Sequence, residues 1–381
     1  MTGQPIRLGL AAGEASGDLL AAQMLAGLIE QAPVDARGIA GPSLVRQGMQ
    51  AWHTTDELSV RGYVEVIKHL PRLLKLRKNL ASRLIEWKPD VFVGVDAPDF
   101  NIELERRLRA AGLKTVHFIG PSVWAWRYER ITKVKAAADH VMLVFPFEKE
   151  IYDREGIAAT YVGHPLADTI ALEQPVRSTK DLTVALLPGS RLDEINAMAA
   201  TFLEAASVLA KRHATLKFVL PAANDMIAKR LRMILAGIAD VNATLMGRLS
   251  ITDGNSYEAL AKANVVLVAS GTATLEAALF KRPMVIAYKM PWLSYRLMKD
   301  KGYLPFIGLP NILANSLLVP ELIQEAATPL ALADALEVQL NDEQNAWRLL
   351  DEFTKIHLSL RRGCASRAAD VLLELSRKAS H

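Results

Sequence analysis

The chain has 381 residues, 51% of them hydrophobic and 23% charged, with a formal net charge of +4; it suits two α/β domains better than one core. A single cysteine, Cys364, excludes an internal disulfide and a cysteine-rich zinc site and fits a reducing cytoplasm. Eight basic residues face two acidic ones between Arg61 and Lys88, so this segment carries +6 while the remainder sums to −2, which argues against a general nucleic-acid binder.

In chain order, apolar runs predict strands over 6–11, 36–40, 90–95, 114–119, 140–145 and 160–162, then 182–187, 216–220, 243–246, 264–268 and 283–288. Helical periodicity fills the intervals at 17–31, 42–50, 64–87, 101–112, 127–137, 146–154, 194–212, 223–237, 255–263 and 273–281, and continues from Thr328 to the end. Strands alternating with helices imply parallel sheets covered on both faces, joined by right-handed crossovers. The aperiodic stretch 168–181, with Pro175, Ser178 and Thr179, divides a Rossmann-like domain over 1–167 from a second over 182–345, leaving helices over 346–381. The first apolar run is broken by Gly9 and Gly13, unlike a signal peptide. No apolar stretch reaches the roughly 18–20 residues that span a bilayer.

Three strand–turn–helix junctions carry chemistry. Ala12-Gly13-Glu14-Ala15-Ser16-Gly17-Asp18 follows the first strand and is neither a Walker A loop nor a GxGxxG fingerprint. Leu187-Pro188-Gly189-Ser190-Arg191 offers a Gly/Ser turn with a guanidinium suited to phosphate. Ala269-Ser270-Gly271-Thr272 follows Val265–Val268, and Glu276 comes one helical turn later. There the small side chains admit a ligand to helix N–H groups that favour an anion, and the carboxylate is placed for a sugar diol. Each junction alone is also compatible with an ordinary turn; their recurrence favours a nucleotide-sugar site. Lys88–Val95 reads as a buried strand ending in Asp96, where ligands of parallel sheets bind.

These motifs, with Gly94-Val95-Asp96-Ala97-Pro98-Asp99-Phe100-Asn101, Pro121-Ser122-Val123-Trp124-Ala125-Trp126-Arg127, Val162-Gly163-His164 and Leu309-Pro310-Asn311, resemble the lipid-A-disaccharide synthases of Gram-negative bacteria over essentially the whole chain. The resemblance implies the GT-B architecture, two Rossmann-like domains facing a cleft, with the nucleotide on the C-terminal one. It also implies the reaction: UDP-2,3-diacylglucosamine plus 2,3-diacylglucosamine 1-phosphate (lipid X) gives a β-1′,6-linked disaccharide 1-phosphate and UDP. It suggests C-terminal helices that pack back on the N-terminal domain or are exchanged in a homodimer, and a peripheral place on the cytoplasmic face of the inner membrane.

An α-linked donor and a β-linked product require one in-line displacement and a base for the acceptor hydroxyl. Asp96 is the first candidate, Asp99 the second and Glu14 an alternative; Asp99, just after Pro98, also fits a helix-terminus role. Gly189, Ser190, Arg191, Ser270, Gly271, Thr272, Glu276 and Asn311 form the expected UDP and donor set, Lys289 being a weaker cation than Arg191. His164 fits structural hydrogen bonding, and Trp124 and Trp126 fit either an acceptor wall or core. Neither a metal nor any other cofactor is expected. On the basic helix, Val66, Ile67, Leu70, Leu73 and Leu74 share one face, with Lys68, Arg72, Lys75 and Lys78 mostly on the other; the pattern fits a surface helix packed on its own domain, and acylated substrates favour a helix lying on an anionic membrane. A UDP-N-acetylglucosamine 2-epimerase or a non-catalytic nucleotide- or lipid-binding module are the rival readings.

Overall fold

Two parallel sheets organise the protein in a computed structural model describing residues 4–58, 63–174, 182–290 and 303–378. One compact unit comprises Met1–Thr169 and Ser359–His381, the other Ile170–Leu358.

The first unit runs β1 (Ile6–Ala12), α1 (Ala15–Ile29), β2 (Val34–Ala40), α2 (Pro42–Arg46), β3 (Gln50–Thr54), α3 (Tyr63–Trp87), β4 (Val91–Val95), α4 (Pro98–Ala110), β5 (Thr115–Phe118), α5 (Arg130–Ala137), β6 (His140–Leu143), α6 (Glu148–Arg154), β7 (Ala159–Tyr161) and α7 (Pro165–Thr169). Its sheet has the order β3-β2-β1-β4-β5-β6-β7. The strand order reverses between β1 and β4, where Ala12 pairs with Val95. All five residues of β4 are buried, as helices on both faces demand. Behind it Leu76, Leu80, Ala81 and Leu84 of α3 pack with Leu104 and Leu108 of α4 around Phe92, which fixes the second half of α3 to the sheet.

The second unit contains β8 (Thr183–Leu187), α8 (Leu192–Arg212), β9 (Lys217–Ala222), α9 (Asp225–Ala236), α10 (Ala239–Leu245), β10 (Leu249–Asp253), α11 (Ser256–Lys262), β11 (Val265–Ala269), α12 (Thr272–Leu279), β12 (Met284–Tyr288), α13 (Leu309–Ala314), β13 (Glu321–Ile323) and α14 (Pro329–Asn341). Its sheet has the order β10-β9-β8-β11-β12-β13, reversing between β8 and β11, where Leu187 pairs with Val268. Two further helices, α15 (Glu343–Leu360) and α16 (Cys364–Lys378), end the described chain. α16 packs on α1, and a Cβ on Gly27 would lie 2.8 Å from Ala365 backbone.

The strand expected at 243–246 is instead the end of α10, and the strand follows at Leu249–Asp253. β3 and β13 fall where no strand is predicted. All three are edge strands with only partly covered residues, so they lack the apolar run that marks a buried strand.

Candidate active site

The two switch points carry the motifs. In the first unit, β1 and β4 end side by side, so the Gly13–Gly17 turn meets the Asp96–Ala97 turn. A Cβ on Gly13 would sit 2.2 Å from the Ala97 Cβ, and one on Gly17 would sit 3.9 Å from the Asp96 Cβ. Asp96 and Ala97 both have left-handed backbone, φ +50° and +43°, a conformation costing roughly 1–3 kcal/mol at each non-glycine residue. The Asp96 N–H donates to Phe118 O at 3.0 Å. The buried Asn101 Nδ2 donates to Asp96 O at 2.9 Å, and to Ala11 O and Val95 O at 3.2 Å. One side chain thus ties the ends of β1 and β4 to the strained turn and leaves Asp96 half-buried at the sheet's carboxyl edge.

Asp99 stands in the first turn of α4, but its side chain is 87% exposed and accepts from Arg130 Nη2 at 2.9 Å. It makes no side-chain cap of the helix, whose cap residue is Ala97. Asp99 thus keeps the place in the first turn that favours the helix dipole, while its carboxylate is engaged in an exposed ion pair rather than a cap. Arg130 and Arg127 also lie over the Trp126 ring, 5.3 and 4.3 Å from its centroid, so the rim beside Asp99 is basic and aromatic. Glu14 is exposed at the N-cap of α1 without capping it. Asp18, in the same motif, is buried and accepts from Gly41 N, Ser43 N and Leu44 N; it is committed to capping α2.

In the second unit, β8 and β11 deliver the 189–191 turn and the Ser270–Thr272 turn to one switch point. Gly271, at φ +151°, is the N-cap of α12 with no side-chain cap, and Gly271 and Thr272 are exposed. The Ser270 hydroxyl donates to Ile307 O at 3.0 Å, and Leu309 N donates to Thr274 Oγ1, so side chains of this turn hold the 307–309 loop while Gly271 and Thr272 stay exposed. Glu276 is mostly buried, and desolvation pushes its carboxyl up to about 6. In the 189–191 turn Glu194 Oε2 accepts from Ser190 N at 2.9 Å and Arg191 N at 3.2 Å. These N–H groups are occupied by an internal carboxylate, so the turn presents the exposed Arg191 side chain rather than a backbone anion seat. Lys289 Nζ donates to Thr201 Oγ1.

Asn311 departs from expectation. It is fully buried; Nδ2 donates to Val319 O at 2.9 Å and Glu321 Oε1 at 2.8 Å, and Oδ1 accepts from Leu318 N and Val319 N. Its amide is consumed holding the loop that Glu321 also grips through Ile307 N and Gly308 N, which corrects the ligand-facing contact read from the motif. His164 is buried, its pKa pushed down to about 4 by burial, and its Nδ1 accepts from Leu166 N. Trp124 Nε1 donates to the buried Glu148 and the ring packs edge-on to Phe145 and Phe147; these are core contacts.

On α3, Leu70 and Leu74 are 46% and 43% exposed, Leu73 is half-buried, and Arg72, Lys75 and Lys78 are exposed; the side chains of Val66 and Ile67 lie outside the described residues. No helix among the described residues is long and apolar enough to cross a membrane. No group of three or more His, Cys, Asp or Glu side chains among them could hold a metal ion. Arg130, Glu321 and the buried pair Glu105 and His117 belong to no motif that marks them in the sequence. Glu105 left a signal: with Asn101 it makes a polar pair at i and i+4 on the face of α4 that periodicity assigns to the core.

The family model for lipid-A-disaccharide synthetase matches residues 8–374. The chain is 47% identical over 379 residues to the lipid-A-disaccharide synthase of Paraburkholderia phymatum, covering 97% of this chain and 96% of that protein. It is 46% identical to that of Burkholderia pseudomallei, with the same coverage. Among solved structures it resembles the glycotransferase of kitacinnamycin (TM-score 0.65, 15% identity, 98% of this chain and 100% of that one). It also resembles the Neisseria meningitidis UDP-GlcNAc 2-epimerase bound to UDP-GlcNAc (TM-score 0.59, 10% identity, 98% and 100%); at such identities the likeness concerns the fold.

Proposed function

The chain belongs to the lipid-A-disaccharide synthetase family, and on that premise we propose that it is an inverting glycosyltransferase. It joins UDP-2,3-diacylglucosamine to the 6-hydroxyl of lipid X, releasing UDP and the β-1′,6-linked disaccharide 1-phosphate. The observation that supports this most is the coincidence of the family's motifs with the switch points of both sheets, where parallel α/β units bind ligands.

In this reading the acceptor belongs to the first unit and UDP to the second. Asp96 takes the hydroxyl proton as the sugar's anomeric carbon is attacked from the face opposite UDP. A half-buried carboxylate on a turn braced by Asn101 is better held than Asp99, whose exposed side chain is paired with Arg130; Glu14 and Asp99 are the alternative bases. The N–H groups at the start of α12 and the Arg191 guanidinium meet the charge growing on the departing diphosphate. Glu276 accepts from the ribose diol. Gly189 and Ser190 serve by shaping the turn that carries Arg191.

Both substrates are acylated, so the enzyme must reach them at a bilayer. The exposed Leu70 and Leu74 among Arg72, Lys75 and Lys78 support peripheral docking of α3 on the anionic cytoplasmic face of the inner membrane. The deciding experiment is incubation with UDP-diacylglucosamine, with and without lipid X. Disaccharide and UDP only in the presence of lipid X support the proposal; an epimerised sugar nucleotide, or no turnover, overturns it. Asp96→Asn should cut the rate about 10²–10⁴-fold while UDP binding persists, and a rate within a few-fold of wild type would move the base to Glu14 or Asp99.

A further inference from the structure

Beside the Asn101 that braces the Asp96 turn lies a set of ionisable side chains, sealed behind β4, that has no part in the chemistry above. Asn101 and Glu105 stand one turn apart on the inward face of α4, both fully buried. Gly94 on β4 makes room for them: a Cβ there would lie 2.0 Å from Glu105 Oε1 and 2.9 Å from the Asn101 Cβ. Opposite Gly94 on β5 is His117, whose Nδ1 is 2.7 Å from Glu105 Oε1, with both side chains fully buried. Asn101 Oδ1, Glu105 Oε2, His117 Nε2 and the Tyr152 hydroxyl are buried without a hydrogen-bond partner among the described residues. Fold stability does not account for such a cluster, because an apolar replacement of a buried ion pair is commonly neutral or stabilising. Its place does suggest a purpose, since Gly94 is two residues before Asp96.

We propose that the Glu105–His117 pair and Asn101 are positioning residues for Asp96: Asn101 fixes the turn, and a buried imidazolium paired to Glu105 keeps the Asp96 carboxylate ionised when lipid substrate covers it. The inference rests on Asp96 being the base. An acylated acceptor displaces water from a half-buried carboxylate and so favours its protonation, and a nearby fixed cation opposes that. The groups facing His117 are consistent with such a cation. Burial by itself would lower the imidazole's pKa, but Glu105 from α4, and then Asp96 from the β4–α4 turn, outweigh it, so the net direction is up, although burial also pushes the Glu105 carboxyl up against the pull of His117. From α6, Tyr152 faces Glu105 and Glu148, and burial keeps its phenol neutral. Glu148, whose carboxyl burial raises to about 7, is engaged by Trp124 and Phe145 N. Because the electrostatic interaction is mutual, the charge that Asp96 favours on His117 also favours the ionised form of Asp96.

The test combines ¹⁵N NMR of the histidine-labelled full chain with the pH profile of kcat, whose acid limb reports the base in the enzyme–substrate complex. His117 should carry protons on both ring nitrogens at pH 7.5 in the wild type and become neutral in Glu105→Gln. His117→Gln and Glu105→Gln should both move the acid limb of kcat up, by about one pH unit. The shared direction is diagnostic, because loss of a carboxylate acting directly on Asp96 would move the limb down. A neutral His117 in the wild type, or a limb that stays or falls in Glu105→Gln, overturns the inference; the wild-type spectrum decides this even if a variant does not fold. An Asp96→Asn variant with near-normal turnover removes the base assignment and the inference with it, a failure recognised by a His117 that is still doubly protonated.

Discussion

Replacing Asn311 with alanine separates a structural amide from a ligand-binding one. The substitution removes four hydrogen bonds inside the protein. Leu318 N keeps a second acceptor in Ser316 O, and Glu321 Oε1 keeps Gly308 N, so the N–H and C=O of Val319 bear most of the loss. A buried backbone group left without its partner costs roughly 1–3 kcal/mol, giving about 3–5 kcal/mol when the weakened Glu321 contact is included. For a unit of this size each kcal/mol corresponds to roughly 2–4 °C, so the melting temperature of the second unit should fall by about 10 °C. Because the same amide secures the loop that receives the Ser270 hydroxyl, UDP affinity should weaken as well. Thermal denaturation followed by circular dichroism without ligand, and calorimetry with UDP well below the melting point, measure the two effects. A variant that melts within 2 °C of wild type yet binds UDP tenfold more weakly would refute the packing argument and make Asn311 a direct donor contact.

Arg191→Ala should weaken UDP binding and lower kcat together, since the guanidinium's partner gains charge as the glycosidic bond breaks; unchanged calorimetry and kinetics would remove it from the site. Glu276, with its carboxyl pushed up to about 6, should bind the donor ribose best when ionised, so UDP-sugar affinity should fall as pH drops from 7.5 to 5. Glu276→Gln should flatten that dependence, and equal slopes in the two proteins would count against the ribose role. Serine at Val66, Ile67, Leu70, Leu73 and Leu74 should abolish co-sedimentation with anionic vesicles, which in the wild type should weaken with salt. A folded serine variant that still sediments would leave α3 a plain surface helix. Activity should survive prolonged EDTA treatment; loss restored by a divalent ion would contradict a metal-free displacement.

Elements whose physics is local are legible in the amino-acid order. Val91–Val95 and Val265–Ala269 read as buried strands because parallel strands covered on both faces must be apolar throughout. The turns after them read as candidate ligand sites because small residues at a helix start leave its N–H groups accessible. Edge strands such as Leu249–Asp253 escaped detection because one open side relaxes the demand for apolar residues. Only the tertiary structure decided how polar side chains within these motifs are used, because hydrogen-bond partners distant in sequence compete for them. Asp18 is spent on α2, Glu194 fills the N–H groups at Ser190 and Arg191, and Asn311 is consumed by Val319 and Glu321. The pairing of Glu105 with His117 likewise depends on α4 lying across Gly94. A motif specifies which groups are available at a turn; the fold settles which of them are already engaged.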